Sequence, residues 1–194
     1  MRRVEELRAA VALAVERFGG LDICVANAGI ASWPTSTWQA SEREWQTMLD
    51  VTLTGTWNTC RAAIPAMLER GRGGAIVIVS STAALKPLAT IGHYSAAKAG
   101  LVGLMKSLAL ELAPERIRVN TVHPGGTATD MTENEAAEHW QATAPGVAGT
   151  LELPMPIRRM EARDIAHAIR WLCTDEARYV TGTTTVVDAG ALLR

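Results

Sequence analysis

Apolar positions along the chain recur with two periods, and the changes between them predict the order of helices and strands. Residues 4–18 carry apolar side chains at every third or fourth position, which predicts an amphipathic helix that Gly19-Gly20 ends. A second, long helical stretch follows over residues 44–68. Two more helices are predicted over residues 93–112 and 161–175.

Individual residues mark where these helices begin, bend and end. Ser41 and Glu44 form a capping-box pattern ahead of the long stretch. Gly55 is expected to weaken that stretch and Pro65 to bend or break it, because proline lacks the N–H that a helix interior uses. Pro114 is expected to end the helix that starts near residue 93.

Short apolar runs between the helices predict strands. Three of these runs are apolar on both faces, which is typical of strands buried between two layers of helices in a parallel sheet. The alternation of strands and helices favours an α/β fold with a parallel sheet covered on both sides. Residues 130–160 are polar and are predicted to be irregular. The predicted strands are residues 21–26, 75–81, 117–122 and 183–190.

Composition limits the classes of function. The 194 residues, 48% hydrophobic and 20% charged, suit one globular domain over residues 1–194. A net charge of −1 without basic runs argues against nucleic-acid and anionic-lipid partners. No apolar run approaches the length of a membrane span, and the start lacks a signal-peptide core. Three separated cysteines and four scattered histidines predict reduced thiols, a cytoplasmic location and no metal site.

The ends of the predicted strands carry residues that could bind a ligand. In open parallel sheets, ligands bind beyond the carboxyl ends of the strands. Such residues are also ordinary turn formers, so each segment alone has a plain structural explanation. The segments are Asn27-Ala28-Gly29, Ser80-Ser81 and Pro124-Gly125-Gly126, the last followed by Thr127 and Thr129.

Tyr94 and Lys98 lie one helical turn apart near the start of a predicted helix. A lone pair of this kind most often reflects packing and a solvated lysine. Ser81, however, ends the preceding strand, so the three side chains are expected to converge on one crevice. A tyrosine hydroxyl has a pKa near 10, and an ammonium about 4 Å away would lower it by roughly three units. We therefore expect Lys98 to make Tyr94 a usable general base.

Taken together, these motifs resemble the classical short-chain dehydrogenases/reductases from the first helix to the last residue. The matching residues are Asn27-Ala28-Gly29, the set Ser81, Tyr94 and Lys98, and the segments RIRVNTVHPG, TATDM and YVTG…VDAG. Within the family, VANAGI, LTGTWNT and TDEARYVTG look most like the carveol-dehydrogenase-like, mycofactocin-associated branch. The resemblance implies a Rossmann-like doubly wound parallel sheet, amino-terminally truncated, with about four strands remaining.

The resemblance also implies a chemistry and a set of site residues. The cofactor would be NAD, with NADP not excluded, and the substrate a small apolar secondary alcohol or ketone. Tyr94 would be the general acid/base, Ser81 would bond the substrate oxygen, and Lys98 would hold the nicotinamide ribose. Thr52 stands where the family usually has a catalytic asparagine that kinks the long helix and holds a relay water. The implied cofactor-binding residues are Asn27, Ala28, Gly29, Tyr94, Lys98, Pro124, Gly125, Thr127 and Thr129.

The sequence begins where the family's third helix begins, so the glycine-rich phosphate loop does not occur in it. The GRGG segment at 71–74 is no substitute, because it precedes a strand and not a helix N-terminus. Two hypotheses follow: an oxidoreductase, or a non-catalytic remnant or interaction module of the same fold. We favour the oxidoreductase, because loss of function should have altered Ser81, Tyr94 or Lys98 as readily as Thr52.

Two further features have two interpretations each, and a third has one. The small residues of the Tyr94 helix suit close packing of another helix, either within the chain or, as the family implies, in a homodimer or homotetramer. The tryptophans in the loops could line an apolar pocket or be half-buried without that role. Residues 130–160 are expected to cover the substrate. The small residues are Ala96, Ala97, Ala99, Gly100 and Gly103, and the tryptophans are Trp33, Trp38 and Trp140.

Overall fold

The structure, a computed structural model, describes residues 2–143 and 153–194. The predicted helices and strands occur in the predicted order, and their ends differ from the predicted ones by at most three residues. The helices are α1 Val4–Phe18, α2 Glu42–Met48, α3 Gly55–Arg70, α4 Gly92–Leu112, α5 Glu135–Thr143 and α6 Ala162–Cys173. The strands are β1 Ile23–Ala26, β2 Gly74–Val79, β3 Ile117–Pro124, β4 Thr127–Ala128, β5 Met160–Glu161 and β6 Thr184–Val187.

Four strands form one parallel sheet in the order β1-β2-β3-β6. The register aligns Cys24 with Ile76 and Val79 with Val122, so the carboxyl ends of neighbouring strands lie at one edge. The α/β parallel sheet is therefore confirmed. The short pair β4 and β5, which the sequence did not predict, forms a separate two-stranded sheet beside that edge.

Both faces of the sheet are covered, as the all-apolar strands predicted. One face carries Ile76, Ile78 and Val119, which pack against α3 and α4. The other face carries Val77 and Val122, which pack with residues of α6. Side chains alternate between the faces along each strand, so β2 and β3 must be apolar at successive positions to serve both layers.

The long helical stretch is interrupted, but not at Pro65. The capping box at Ser41 and Glu44 is confirmed, and α2 then passes through one π-helical segment, Leu49–Thr54, into α3. Of the bend or break expected at Pro65, the break is wrong, because α3 continues to Arg70. A proline costs about 3 kcal/mol in a helix interior, and burial of the apolar face of α3, Met67 included, offsets that cost.

The region predicted to be irregular contains α5, so the prediction is wrong for residues 135–143. Asn134 starts this helix, since its side-chain oxygen accepts a hydrogen bond from the N–H of Ala137 at 3.0 Å. Glu135 and Glu138 in the first turn favour the positive end of the helix dipole. Residues 144–152, part of the same predicted region, lie outside the described residues.

A helix that spans a lipid bilayer needs about 20 mostly apolar residues. Within residues 2–143 and 153–194, each helix is too short or too polar to span a membrane.

Candidate active site

A large cavity lies beyond the carboxyl ends of β1, β2 and β3, with a volume of about 1640 Å³. Strand ends supply its floor because parallel strands end at the same edge of the sheet. Every site residue predicted from the sequence except Thr52 lines this cavity. These residues are Asn27, Ala28, Gly29, Ser81, Tyr94, Lys98, Pro124, Gly125, Thr127 and Thr129.

Ser81 and Tyr94 meet at the wall of the cavity. Ser81 follows β2 and caps a short 3-10 turn, its hydroxyl accepting a hydrogen bond from the N–H of Ala83 at 3.1 Å. Tyr94 lies half-buried in the first turn of α4, near enough to the Ser81 side chain for hydrogen bonding to lower the pKa of its hydroxyl. Burial raises the pKa of Tyr94, and the Ser81 hydrogen bond lowers it in part.

Lys98 lies one turn further along α4 and is only 4% exposed. Its ammonium donates to the carbonyl of Val79, the last residue of β2, at 2.8 Å. Burial lowers the pKa of Lys98 to about 8, because the charged form loses its hydration. The nitrogen lies 5.7 Å from the centre of the Tyr94 ring.

This arrangement corrects the expected electrostatics of the pair. The sequence predicted that the ammonium would lower the pKa of Tyr94. In the structure the pKa of Tyr94 is raised by burial, and the hydrogen bond that opposes the rise comes from Ser81. The prediction failed because it assumed that the ammonium faces the Tyr94 hydroxyl. In the structure the Lys98 ammonium donates a hydrogen bond to the backbone carbonyl of Val79 in β2.

Thr52 lies behind Lys98 in the π-helical segment and is fully buried. Its hydroxyl donates to the sulfur of Met48 at 3.4 Å, and its carbonyl accepts from the hydroxyl of Thr56 at 2.8 Å. A side chain at Gly29 would lie 3.6 Å from the Lys98 nitrogen and 4.0 Å from the Thr52 hydroxyl. The strand end at Gly29, Lys98 and Thr52 therefore adjoin one another.

The turn after β3 needs glycine for a steric reason. A Cβ at Gly125 would lie 2.9 Å from the Cα and the Cβ of Asp188, closer than real Cβ contacts allow. Thr127 donates to the Gly125 carbonyl at 3.1 Å and tightens the turn. The exposed Thr129 begins the next turn, where its N–H donates to the hydroxyl of Thr132 at 3.2 Å. These contacts shape the wall of the cavity opposite Asn27.

Helix α5 forms part of the cavity wall and contacts two other segments. The indole N–H of Trp140 donates to the hydroxyl of Thr90 at 2.9 Å. Thr90 has a left-handed backbone with φ of 66°, and its carbonyl accepts from the N–H of Thr35 at 2.8 Å. Of the three tryptophans considered for a pocket, Trp140 lines the cavity. Trp33 packs edge-on against His139, and Trp38 is 84% exposed.

Sequence reasoning overlooked two residues near the site. His123 was counted among scattered histidines, although it lies one residue before the strand end at Pro124, which was a usable signal. In the structure it is buried beside Ser81. Thr90 carries no sequence signal for its role, because its importance depends on the segments that meet there.

Comparison with known proteins gives consistent matches. A family model described as enoyl-(acyl carrier protein) reductase matches residues 1–191. The (−)-trans-carveol dehydrogenase of Rhodococcus erythropolis is 44% identical, and the alignment covers the whole chain and 73% of that protein. The 3β-hydroxysteroid dehydrogenase 1 of Eggerthella lenta is 41% identical over 91% of the chain and 65% of that protein.

A solved structure matches over the whole chain as well. The crystal structure of carveol dehydrogenase from Mycobacterium avium in complex with NAD has a TM-score of 0.93 and 39% sequence identity. The match covers 100% of this chain and 73% of that one. The sheet and the cavity edge described above are thus those of a fold seen by crystallography in a similar protein.

Proposed function

Because this chain belongs to the short-chain dehydrogenase/reductase family, we propose that it is an NAD-dependent oxidoreductase acting on a secondary alcohol or its ketone. Tyr94 is the general acid/base. The observation that carries the proposal is that Ser81 and Tyr94 lie together in the wall of the large cavity, with Lys98 buried one turn away.

The donor set at the cavity fits a dinucleotide. The Lys98 ammonium has three N–H donors, and its bond to Val79 uses one of them, so two remain for sugar hydroxyls. The close packing of Gly125 against Asp188 fixes the strand end that lines the cavity. Asn27 to Gly29 supply the floor on the other side of Lys98. When bound, NAD accepts the hydride in the oxidative direction, and its reduced form supplies it in the reverse.

The two hydroxyls perform the proton chemistry. Ser81 hydrogen-bonds the substrate oxygen and Tyr94 exchanges a proton with the same oxygen, as a general acid in ketone reduction and a base in alcohol oxidation. Since burial raises the pKa of Tyr94, its hydroxyl keeps its proton at neutral pH. Of the two directions, this state of the protein is therefore prepared for proton donation to a ketone.

The side chains around the reactive pair suit an apolar substrate. Leu88, Ile91 and Trp140 line the cavity near the segment that precedes α4. The similar proteins named above are dehydrogenases of carveol and of a 3β-hydroxysteroid. Burial of apolar substrate surface at about 25 cal/mol per Å² would supply most of the binding free energy. We therefore propose a small apolar alcohol or ketone as the substrate.

The exposed surface of α4 supports self-association. Ala96, Ala99 and Gly103 are small residues exposed on the surface of α4. The space beside Gly100 is occupied by the side chain of Leu53 from the same chain, which lies 3.0 Å from the position that a Cβ of residue 100 would take. Trp57 of α3 is 44% exposed. These features favour a homodimer or homotetramer, which light scattering on the purified protein would test. The free cysteines agree with a cytoplasmic location.

The two tyrosines of the chain provide a matched test of the general acid/base. Tyr94→Phe should lower turnover by at least about a hundredfold, while Tyr179→Phe, which alters a tyrosine that is 89% exposed, should leave turnover unchanged. The assay follows NADH absorbance with a series of apolar secondary alcohols and ketones. Activity of Tyr94→Phe close to the parent's would remove Tyr94 from this role.

Two comparison arms address other functions. An enoyl thioester is included because the matching family model is described for enoyl reduction, and faster turnover of the thioester would replace alcohol oxidation as the activity. Calorimetric titration with NAD separates an inactive enzyme from a module that does not bind NAD. Absence of both binding and turnover would favour the hypothesis of a non-catalytic module of the same fold.

A further inference from the structure

His123 is fully buried near the end of β3, and both of its ring nitrogens have hydrogen-bond partners. Nδ1 lies 2.8 Å from the carbonyl oxygen of Ser81, and Nε2 lies 2.9 Å from the hydroxyl of Thr121. The first partner lies two residues after the end of β2, and the second lies in β3. The imidazole therefore links β3 to the segment after β2, at the point where Ser81 enters the cavity wall.

The partners determine which nitrogen carries the proton. A carbonyl oxygen can only accept, so Nδ1 carries the hydrogen and donates it to Ser81. Nε2 then accepts from the Thr121 hydroxyl, for which the contact at 2.9 Å is shorter than its other contact, to the carbonyl of Thr183 at 3.3 Å. Burial lowers the pKa of His123, and the nearby Lys98 ammonium lowers it further, although the bond to Ser81 opposes the change. The neutral imidazole that the geometry requires is thus the form that the surroundings favour.

The position of this bond in the sheet gives it a function. The backbone pairing of β2 with β3 ends with the N–H of Ser80, which donates to the carbonyl of Val122 at 2.8 Å. One residue further along the departing chain, the carbonyl of Ser81 accepts from the Nδ1–H of His123. The hydroxyl of Thr82 then donates to the carbonyl of Pro124 at 3.3 Å. Side-chain hydrogen bonds, of which the His123 bond is the shorter, therefore continue the contact after the backbone pairing ends.

We propose that His123 is a positioning residue for Ser81: its Nδ1–H holds the Ser81 carbonyl, and so holds the Ser81 hydroxyl in place against Tyr94. The hydroxyl is fixed on its other side by the N–H of Ala83 at 3.1 Å. The Ser81 carbonyl also accepts from the N–H of Ala84 at 3.1 Å, so the imidazole supplies the shorter of its two hydrogen bonds. Without the imidazole bond, only the bond from Ala84 holds this carbonyl, and the Ser81 hydroxyl shifts relative to Tyr94. This role rests on the proposed function of Ser81 and Tyr94.

Two amide substitutions separate positioning from simple packing. His123→Asn keeps an N–H donor two bonds from Cβ, where Nδ1 stands, whereas His123→Gln places its donor three bonds away, where Nε2 stands. Both replace a buried polar ring by a buried amide. Asn120→Ala is the stability control, because Asn120 is buried in the same strand and its side chain bonds to Val180 and Thr183 without reaching Ser81.

The main readout is the state of the Tyr94 hydroxyl, followed by NMR of the protein labelled at the tyrosine Cζ. The chain has only two tyrosines, so the exposed Tyr179 serves as an internal reference. In His123→Gln the Tyr94 signal should shift and its hydroxyl should titrate at higher pH than in the parent, since the Ser81 bond that lowers its pKa is lost. In His123→Asn both should stay close to the parent.

The kinetic readout should follow the same order. Turnover should fall by roughly tenfold or more in His123→Gln, with KM changed much less, because a small misplacement of a reacting group slows the chemical step. Asn120→Ala should lower the melting temperature and leave Tyr94 and turnover at the parent's values.

Two results would overturn the role of His123: a Tyr94 signal in His123→Gln identical to the parent's, or equal displacement of that signal in the Asn and Gln variants. The NMR measurement needs no turnover. It therefore decides the question even for an inactive parent chain, which would count against the proposed function alone.

Discussion

Replacement of Lys98 by methionine tests the burial of its ammonium through the pH dependence of stability. The fall of its pKa from the ordinary 10.5 to about 8 corresponds to about 3 kcal/mol, at about 1.4 kcal/mol per pH unit. Because the folded-state pKa lies below the unfolded one, the charged form is penalised by folding. The penalty is complete below pH 8 and disappears as the pH rises from about 8 to 10.5.

The parent should therefore gain stability relative to Lys98→Met by about 3 kcal/mol between neutral pH and the upper end of that window. At neutral pH the variant loses the bond to Val79, which costs about 1–3 kcal/mol, so the pH slope is the informative quantity. Denaturant unfolding followed by tryptophan fluorescence measures the free energy of unfolding at each pH. Other titrating groups cancel in the difference between the two proteins.

Lys106→Met is the matched control, because Lys106 lies exposed on the same helix α4. Its difference from the parent should stay flat over the same pH range. A flat difference for Lys98→Met would refute the reasoning, since it would mean that the buried ammonium keeps enough hydration to hold an ordinary pKa.

Three further substitutions test other parts of the site and the fold. Thr52→Asn restores the amide that the family usually has in the π-helical segment, and should raise turnover in NADH-linked assays without lowering KM; a neutral or harmful effect would indicate that the segment has adapted to threonine. Trp140→Phe removes the indole N–H that donates to Thr90. Because one hydrogen bond is worth about 1 kcal/mol, the variant should have a KM for apolar alcohols several-fold higher than the parent's, with a smaller change in turnover. An unchanged KM would show that Trp140 is not part of the substrate-binding wall. Arg118→Met removes the guanidinium that donates to the carbonyls of Leu172 and Thr174 at 2.7 and 3.3 Å. The free energy of unfolding, measured by urea denaturation, should fall by about 2 kcal/mol. A loss near zero would mean that water replaces the guanidinium as the hydrogen-bond donor.

Local patterns in the sequence were sufficient for most of the fold. The capping box at Ser41 and Glu44 and the left-handed glycines at Gly19 and Gly71 form their hydrogen bonds with residues only a few positions away. These helix ends could therefore be predicted from short segments of sequence. The apolar runs of β2 and β3 likewise predicted a sheet covered on both faces. The helix does not break at Pro65, because the burial of α3 against the sheet outweighs the local cost of the proline.

The candidate site divides in the same way. Sequence spacing predicted that the strand ends, Ser81, Tyr94 and Lys98 would line one cavity, because parallel strands end at one edge and helix α4 starts there.

The direction of the Tyr94 pKa, the bond from Lys98 to Val79 and the bond from His123 to Ser81 were decided only by the tertiary structure. Desolvation and hydrogen-bond partners depend on atoms of other elements that are distant in sequence, and packing alone brings those atoms within reach.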